Sequence, residues 1–159
     1  MNSVKTLVWA RVALATLALY LPLQAEVKVN LVASKIVSVD GAEHKQSADK
    51  AKPGEVIEYA AEYKNLDKAS VKNVMATLPV PAGLEYLPQT SSPQSMLASI
   101  DGSNYAPAPL KRSVRGADGK MVEELVPYSE YRSLRWSLGE ISAGASKTVV
   151  ARMKVKTAQ

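Results

Sequence analysis

The stretch from Lys52 to Leu87, KPGEVIEYAAEYKNLDKASVKNVMATLPVPAGLEYL, constrains the fold more than any other part of the chain. After the Pro53-Gly54 turn, Ile57, Tyr59, Ala61 and Tyr63 alternate with Glu58, Ala60, Glu62 and Lys64. That is a period of two, with one apolar and one mostly charged face, as in a half-buried antiparallel strand. Asn65-Leu66-Asp67-Lys68 is polar and turn-prone. Val74, Ala76 and Leu78 then share a face of a second strand; Pro79, Pro81 and Gly83 stop it, and Leu84-Glu85-Tyr86-Leu87 begins a third extended piece.

The flanking segments follow the same logic. Val27, Val29 and Leu31 alternate with Lys28 and Asn30, and strand-forming residues continue to Val39, with a bulge or bend expected near Ser34-Lys35. Asp40 to Lys52 is polar, lacks an apolar period and reads as a loop holding the single histidine, His44. Two hairpins are expected around Asp101-Gly102 and Asp118-Gly119, with type I′ turns, in which both central residues take positive φ. Neither aspartate has further acids at calcium-loop spacing, so a turn role is preferred over metal ligation. Tyr131 to Leu138 is a strand with Leu134, Trp136 and Leu138 on one face and Ser133, Arg135 and Ser137 on the other. Gly139 to Gly144 turns the chain into a last strand, Lys147 to Lys156, whose Arg152, Lys154 and Lys156 form a basic row suited to a guarded sheet edge. Seven to nine strands with turn signals between them, and no helical period after residue 25, predict an all-β antiparallel sandwich.

Residues 1–25 read as a cleavable signal helix. Lys5 and Arg11 supply positive charge, an apolar run covers 12–21, Pro22 breaks it and Ala25 offers a small residue for cleavage. Ten apolar residues are short of the roughly 20 a membrane span needs. Residues 26–159 form the expected domain, with an inserted hairpin region at about 88–131. Removing Lys5 and Arg11 lowers the net charge from +5 to +3, too mild to suggest nucleic acid. With no cysteine and one histidine, disulfides and a Cys/His zinc site are excluded.

Several of these residues resemble a bacterial family called the conserved repeat domain, the domain of unknown function eleven. They are Pro53-Gly54-Glu55-Val56-Ile57-Glu58-Tyr59, Asn65, Val71-Lys72-Asn73-Val74, Pro81-Ala82-Gly83-Leu84-Glu85-Tyr86, Leu134 to Ile141, and Ala143 to Ser146. The resemblance implies an Ig-like β-sandwich in an exported or surface protein, with no catalytic or ligand residue to carry over. The chain differs in having Ala76 where family members often place an acid, in showing one copy, and in a longer segment from Lys111 to Ser129.

Chemistry-bearing patterns are sparse. His44 lies in a polar stretch without a Gly-x-Ser-x-Gly elbow. Glu123 and Glu124 are adjacent, so in a strand they point to opposite faces, unlike a glycosidase pair. Met75, Met96, Met121 and Met153 are scattered and read as core filling. Tyr105, Tyr128 and Tyr131, with Arg132, either form a platform for a glycan or peptide or cap a core that has no phenylalanine. Val27 to Leu31 is a candidate donor strand for a partner. The expectation is a non-enzymatic exported domain without a cofactor, a structural or interaction module of the periplasm or cell surface. Its partner would be another envelope protein or a glycan, with no membrane span after signal cleavage. The alternative is a periplasmic or secreted glycan- or peptide-binding protein.

Overall fold

The computed structural model describes residues 26–157; the signal segment expected at 1–25 lies outside them. The strongly alternating segment becomes the middle of a five-stranded antiparallel sheet. In chain order the strands are β1 (Val27–Val39), β2 (Ala42–Ser47), β3 (Val56–Asn65), β4 (Val71–Pro79), β5 (Leu84–Tyr86), β6 (Leu97–Ser99), β7 (Ala106–Pro107), β8 (Lys111–Arg115), β9 (Met121–Leu125), β10 (Ser133–Ile141) and β11 (Ser146–Val155). One sheet has the order β2-β1-β3-β11-β5, the other β4-β10-β6-β7, and β8-β9 form a separate ribbon. The only helical element among the described residues is a 3-10 turn at Tyr128–Glu130.

The inner faces of the two sheets share one core, as a β-sandwich requires. Ala61, Tyr63, Val149, Ala151 and Met153 from the first sheet meet Ala76, Leu78, Leu134, Trp136 and Leu138 from the second. Trp136 is 1% exposed, and its indole N–H donates to the Pro93 carbonyl at 2.8 Å. The expected inward sets of β3, β4 and β10 are therefore the observed ones. Asn65, fully buried, fastens one end of the sandwich. Its Nδ2 donates to the carbonyls of Ala69, Ile141 and Ser142 at 2.8, 3.0 and 3.2 Å, while its Oδ1 accepts from the Asp67 N–H at 2.9 Å.

Several expectations are corrected. Asp40 to Lys52 is not all loop: β2 pairs with β1, and Asp40 (φ 52°) and Gly41 (φ 80°) fill the two-residue turn between Val39 and Ala42. This is the one Asp-Gly pair of the three in which both residues take the positive φ of a type I′ turn. At Asp101-Gly102 and Asp118-Gly119 the hairpins form, but only the glycines have positive φ, because longer connections relieve the aspartates of that demand. β1 runs unbroken for 13 residues, with Ser34–Ile36 paired on both sides, so no bulge interrupts it. The irregularity falls instead in β10, where the register with β4 shifts on either side of Gly139 (φ 66°).

Strand β11 is not an edge. It lies between β3 and β5, and Arg152 is engaged rather than free in solvent. Its Nε bonds Glu58 at 3.0 Å and its two terminal nitrogens bond Glu43 at 2.8 and 2.7 Å, while Lys45 meets the other Glu58 oxygen at 2.6 Å. Burial pushes the Glu58 carboxyl upward, yet the hydrogen bonds from Lys45 and Arg152 outweigh it and hold the group below the ordinary glutamate value. These ion pairs tie the β1–β2 hairpin onto β3 and β11.

The candidate donor segment is engaged on one side only: β2 meets β1 from Ser34 onward, so the outer edge of Val27 to Leu31 carries no strand among the described residues. Val27 to Leu31 is already paired with β3, from Val27↔Asn65 to Leu31↔Ala61. That register puts Val29 and Leu31 on the core-facing side, but they stay 51% and 52% exposed. The five-stranded sheet is wider than its partner, so β1 overhangs the core. The nearby edge of β4 is blunted: the Tyr63 hydroxyl accepts from the Thr77 N–H at 3.0 Å and donates to the Thr77 carbonyl at 3.3 Å, where a neighbouring strand would bond. The methionines divide, with Met96 and Met153 buried and Met75 and Met121 exposed, so core filling holds for two of the four.

Candidate functional site

The four residues expected to form a platform are separated by the fold. Tyr128 and Tyr131 do come together, with Tyr86 from β5 as a third ring. Tyr86 stacks on Tyr131 at 6.1 Å with planes 7° apart, and Tyr128 meets both edge-on at 5.8 and 5.3 Å. Tyr131 is fully buried, and its hydroxyl accepts the Leu110 N–H at 2.8 Å, pinning the start of the β8–β9 region. Burial pushes its phenol above the ordinary tyrosine value. Tyr131 thus offers nothing to a ligand and seals the core, the other use open to it in a chain without phenylalanine. Arg132 is exposed and donates to the carbonyls of Ser129 and Tyr131 at 3.2 and 3.4 Å.

Tyr105 lies apart, against the outer face of the four-stranded sheet. Its hydroxyl bonds the Ser133 hydroxyl at 2.9 Å, and the Arg135 guanidinium carbon sits 3.5 Å from its ring centroid. This is a cation–π contact, with the guanidinium over the ring. Arg135 Nε also donates to Thr77 Oγ1 at 3.3 Å. Among the described residues no carboxylate forms an ion pair with Arg135, whereas Arg112 and Arg152 each hold two glutamates.

Arg135 forms part of an open cleft of about 540 Å³ lined also by Met96, Leu97, Pro107, Ala108 and Ser137. The floor follows from register: Thr77 on β4, Arg135 on β10, Leu97 on β6 and Pro107 on β7 are successive cross-strand partners. Their side chains therefore share the outer face. The volume falls in the range of small-molecule and peptide-anchor pockets. Arg135 was legible only as an outward residue of its strand. Its stacking partner is 30 positions away, and no local pattern links the two.

The remaining chemical candidates are placed as follows. His44 is exposed on β2, opposite Val37. Glu123 and Glu124 pair with Lys111 and Arg112 at 3.3 and 2.7 Å. The Asp101 carboxylate accepts from the Ser103 and Asn104 backbone N–H groups at 2.8 and 2.7 Å and from Asn104 Nδ2 at 2.7 Å. These bonds, the Asn104 side chain foremost, hold it well below the usual carboxylate range. Asp101 is thus an organiser of its loop. Among the described residues no group of three or more His, Cys, Asp or Glu side chains is placed to hold a metal ion.

No family model, curated protein or solved structure matches this chain.

Proposed function

We propose that this chain is a non-enzymatic, exported, Ig-like interaction module of a bacterial envelope or cell surface, of the conserved repeat kind, and that the outer face of its four-stranded sheet is the working surface. The observation that carries the interaction role is the cleft floored by Arg135 and Leu97, with an oriented guanidinium that has no acid partner among the described residues. The export reading rests on the charged start, apolar run and Ala25 of residues 1–25.

Both parts are open to direct test. Expressing the full chain in a bacterium, fractionating the cells and weighing the product should give an exported protein beginning at Glu26. A cytoplasmic product retaining residues 1–25 removes the export reading. For the surface, bait carrying Ser137→Trp fills the cleft from an exposed position. A partner cross-linked by wild type in envelope extract should be lost with that bait. A partner retained at full yield places the working surface elsewhere.

A further inference from the structure

We infer that the Arg135 cleft takes the free C-terminal carboxylate of an extended peptide whose last residue is apolar. The inference rests on the outer face of the four-stranded sheet being the working surface, and it specifies the chemistry recognised there. Three observations converge on it.

The first is the state of Arg135. Tyr105 supports the guanidinium at 3.5 Å and Thr77 Oγ1 takes its Nε proton, so the side chain is fixed before any ligand arrives. Its two terminal nitrogens have no acceptor among the described residues. A guanidinium fork held in place with both terminal nitrogens unengaged matches a carboxylate through two parallel N–H···O bonds. Pre-ordering also removes much of the rotamer entropy that a free arginine would lose on binding.

The second observation is the lining. Leu97 and Pro107, which share the outer face with Arg135, put aliphatic surface next to the charge. A ligand that satisfies both halves carries an anion a few ångströms from an apolar group. A peptide C-terminus with a Leu-like or Val-like last residue has that layout, because carboxylate and side chain leave the same Cα.

The third observation discriminates against an acidic sugar. Carbohydrate sites commonly stack sugar faces on exposed aromatic rings. No aromatic residue lines this cleft, and Tyr105, the ring beside it, has a face covered by Arg135. Ser137 adds a hydroxyl at the cleft floor for one more polar contact.

The test uses protein purified after expression of the full chain and titrated by two-dimensional amide NMR. The probes are acetyl-Gly-Gly-Leu with a free carboxylate, the same peptide amidated, and a uronic acid disaccharide. The free acid should bind at least about tenfold more tightly than the amide, as expected for a charge-assisted bidentate pair. Its shifts should centre on Leu97, Arg135 and Ser137. Arg135→Gln should reduce the acid-to-amide ratio to about one, and Arg135→Lys should restore only part of it. Tyr105→Phe, which keeps the ring but loses the bond to Ser133, should retain most of the preference. Thermal melts of the variants separate a lost site from a lost fold. Equal binding of acid and amide, an acid preference that survives Arg135→Gln, or no binding of the free acid overturns the inference. Tighter binding of the uronic acid at the same residues overturns the peptide assignment. In each of those cases the Ser137→Trp cross-linking result still decides independently whether the outer face is the working surface.

Discussion

Asn65 is the position where a single substitution should tell most about what holds the sandwich together. Its amide group has two protons and faces three carbonyls, those of Ala69, Ile141 and Ser142, while its oxygen holds the Asp67 N–H. Two donated protons shared among three acceptors, plus one accepted bond, amount to about three hydrogen bonds. At about 1 kcal/mol each, Asn65→Ala should cost roughly 3 kcal/mol. For a domain of this size that corresponds to a drop of roughly 10 °C in Tm. Asn65→Asp is the sharper probe because it keeps the shape and reverses the chemistry. An ionised carboxylate facing three carbonyls is disfavoured, so its folded pKa must lie above the unfolded value of about 3.9. Such a group contributes stability below the unfolded pKa and loses it as pH rises through the folded one. Urea denaturation of both variants between pH 3 and pH 8 measures this. Asn65→Asp should be at least as unstable as Asn65→Ala at pH 7 and should recover part of the difference on acidification. An Asn65→Ala variant within 1 kcal/mol of wild type, or identical pH profiles for the two variants, would refute the reasoning.

Three further outcomes follow from the packing. Tyr63→Phe removes the hydroxyl that occupies Thr77 at the β4 edge; it should cost about 1 kcal/mol and raise concentration-dependent association, read by denaturation and light scattering. Glu58 is held below its ordinary pKa, so its contribution is present above the unfolded value of about 4.3 and fades as pH falls through the lower folded value. Glu58→Gln should therefore flatten the loss of stability that wild type shows below about pH 4 in a melting series. Tyr131→Phe strands the Leu110 N–H; hydrogen exchange should accelerate at that amide, with a stability loss of about 1–2 kcal/mol.

The parts of the fold that could be read from sequence are those in which one strand records its own environment. β3, β4 and β10 alternate because one face meets the core, and Trp136 and Ile57 sit where that alternation puts them. Strand order leaves no such record. A basic outward row looks the same on an edge strand as on β11, where two carboxylates drawn from β2 and β3 meet Arg152. β2 is exposed along its whole length, so it carries no apolar period; its only local cue was Asp40-Gly41. Val29 and Leu31 alternate as core residues do, yet the opposite sheet does not reach them. At the site, tyrosine chemistry allowed both surface and core, and only the fold could assign Tyr131 to the core and Tyr105 to Arg135.

The register of β1, β3 and β11 has a mechanical consequence. β1 begins beside Asn65, where the Leu66 N–H bonds the Glu26 carbonyl, whereas β11 ends at the opposite pole, where the Lys156 N–H bonds the Gly83 carbonyl. Both strands run the same way along β3, so the ends of the described chain lie a strand length apart, about 30 Å at the usual rise per residue. Tension between residues 26 and 157 would run along the ladders of β3 with β1 and β11. It would load many hydrogen bonds together in shear, instead of peeling them off one at a time. A module tethered at one end and gripped at the other would resist pulling along its length far better than a pull applied across its strands.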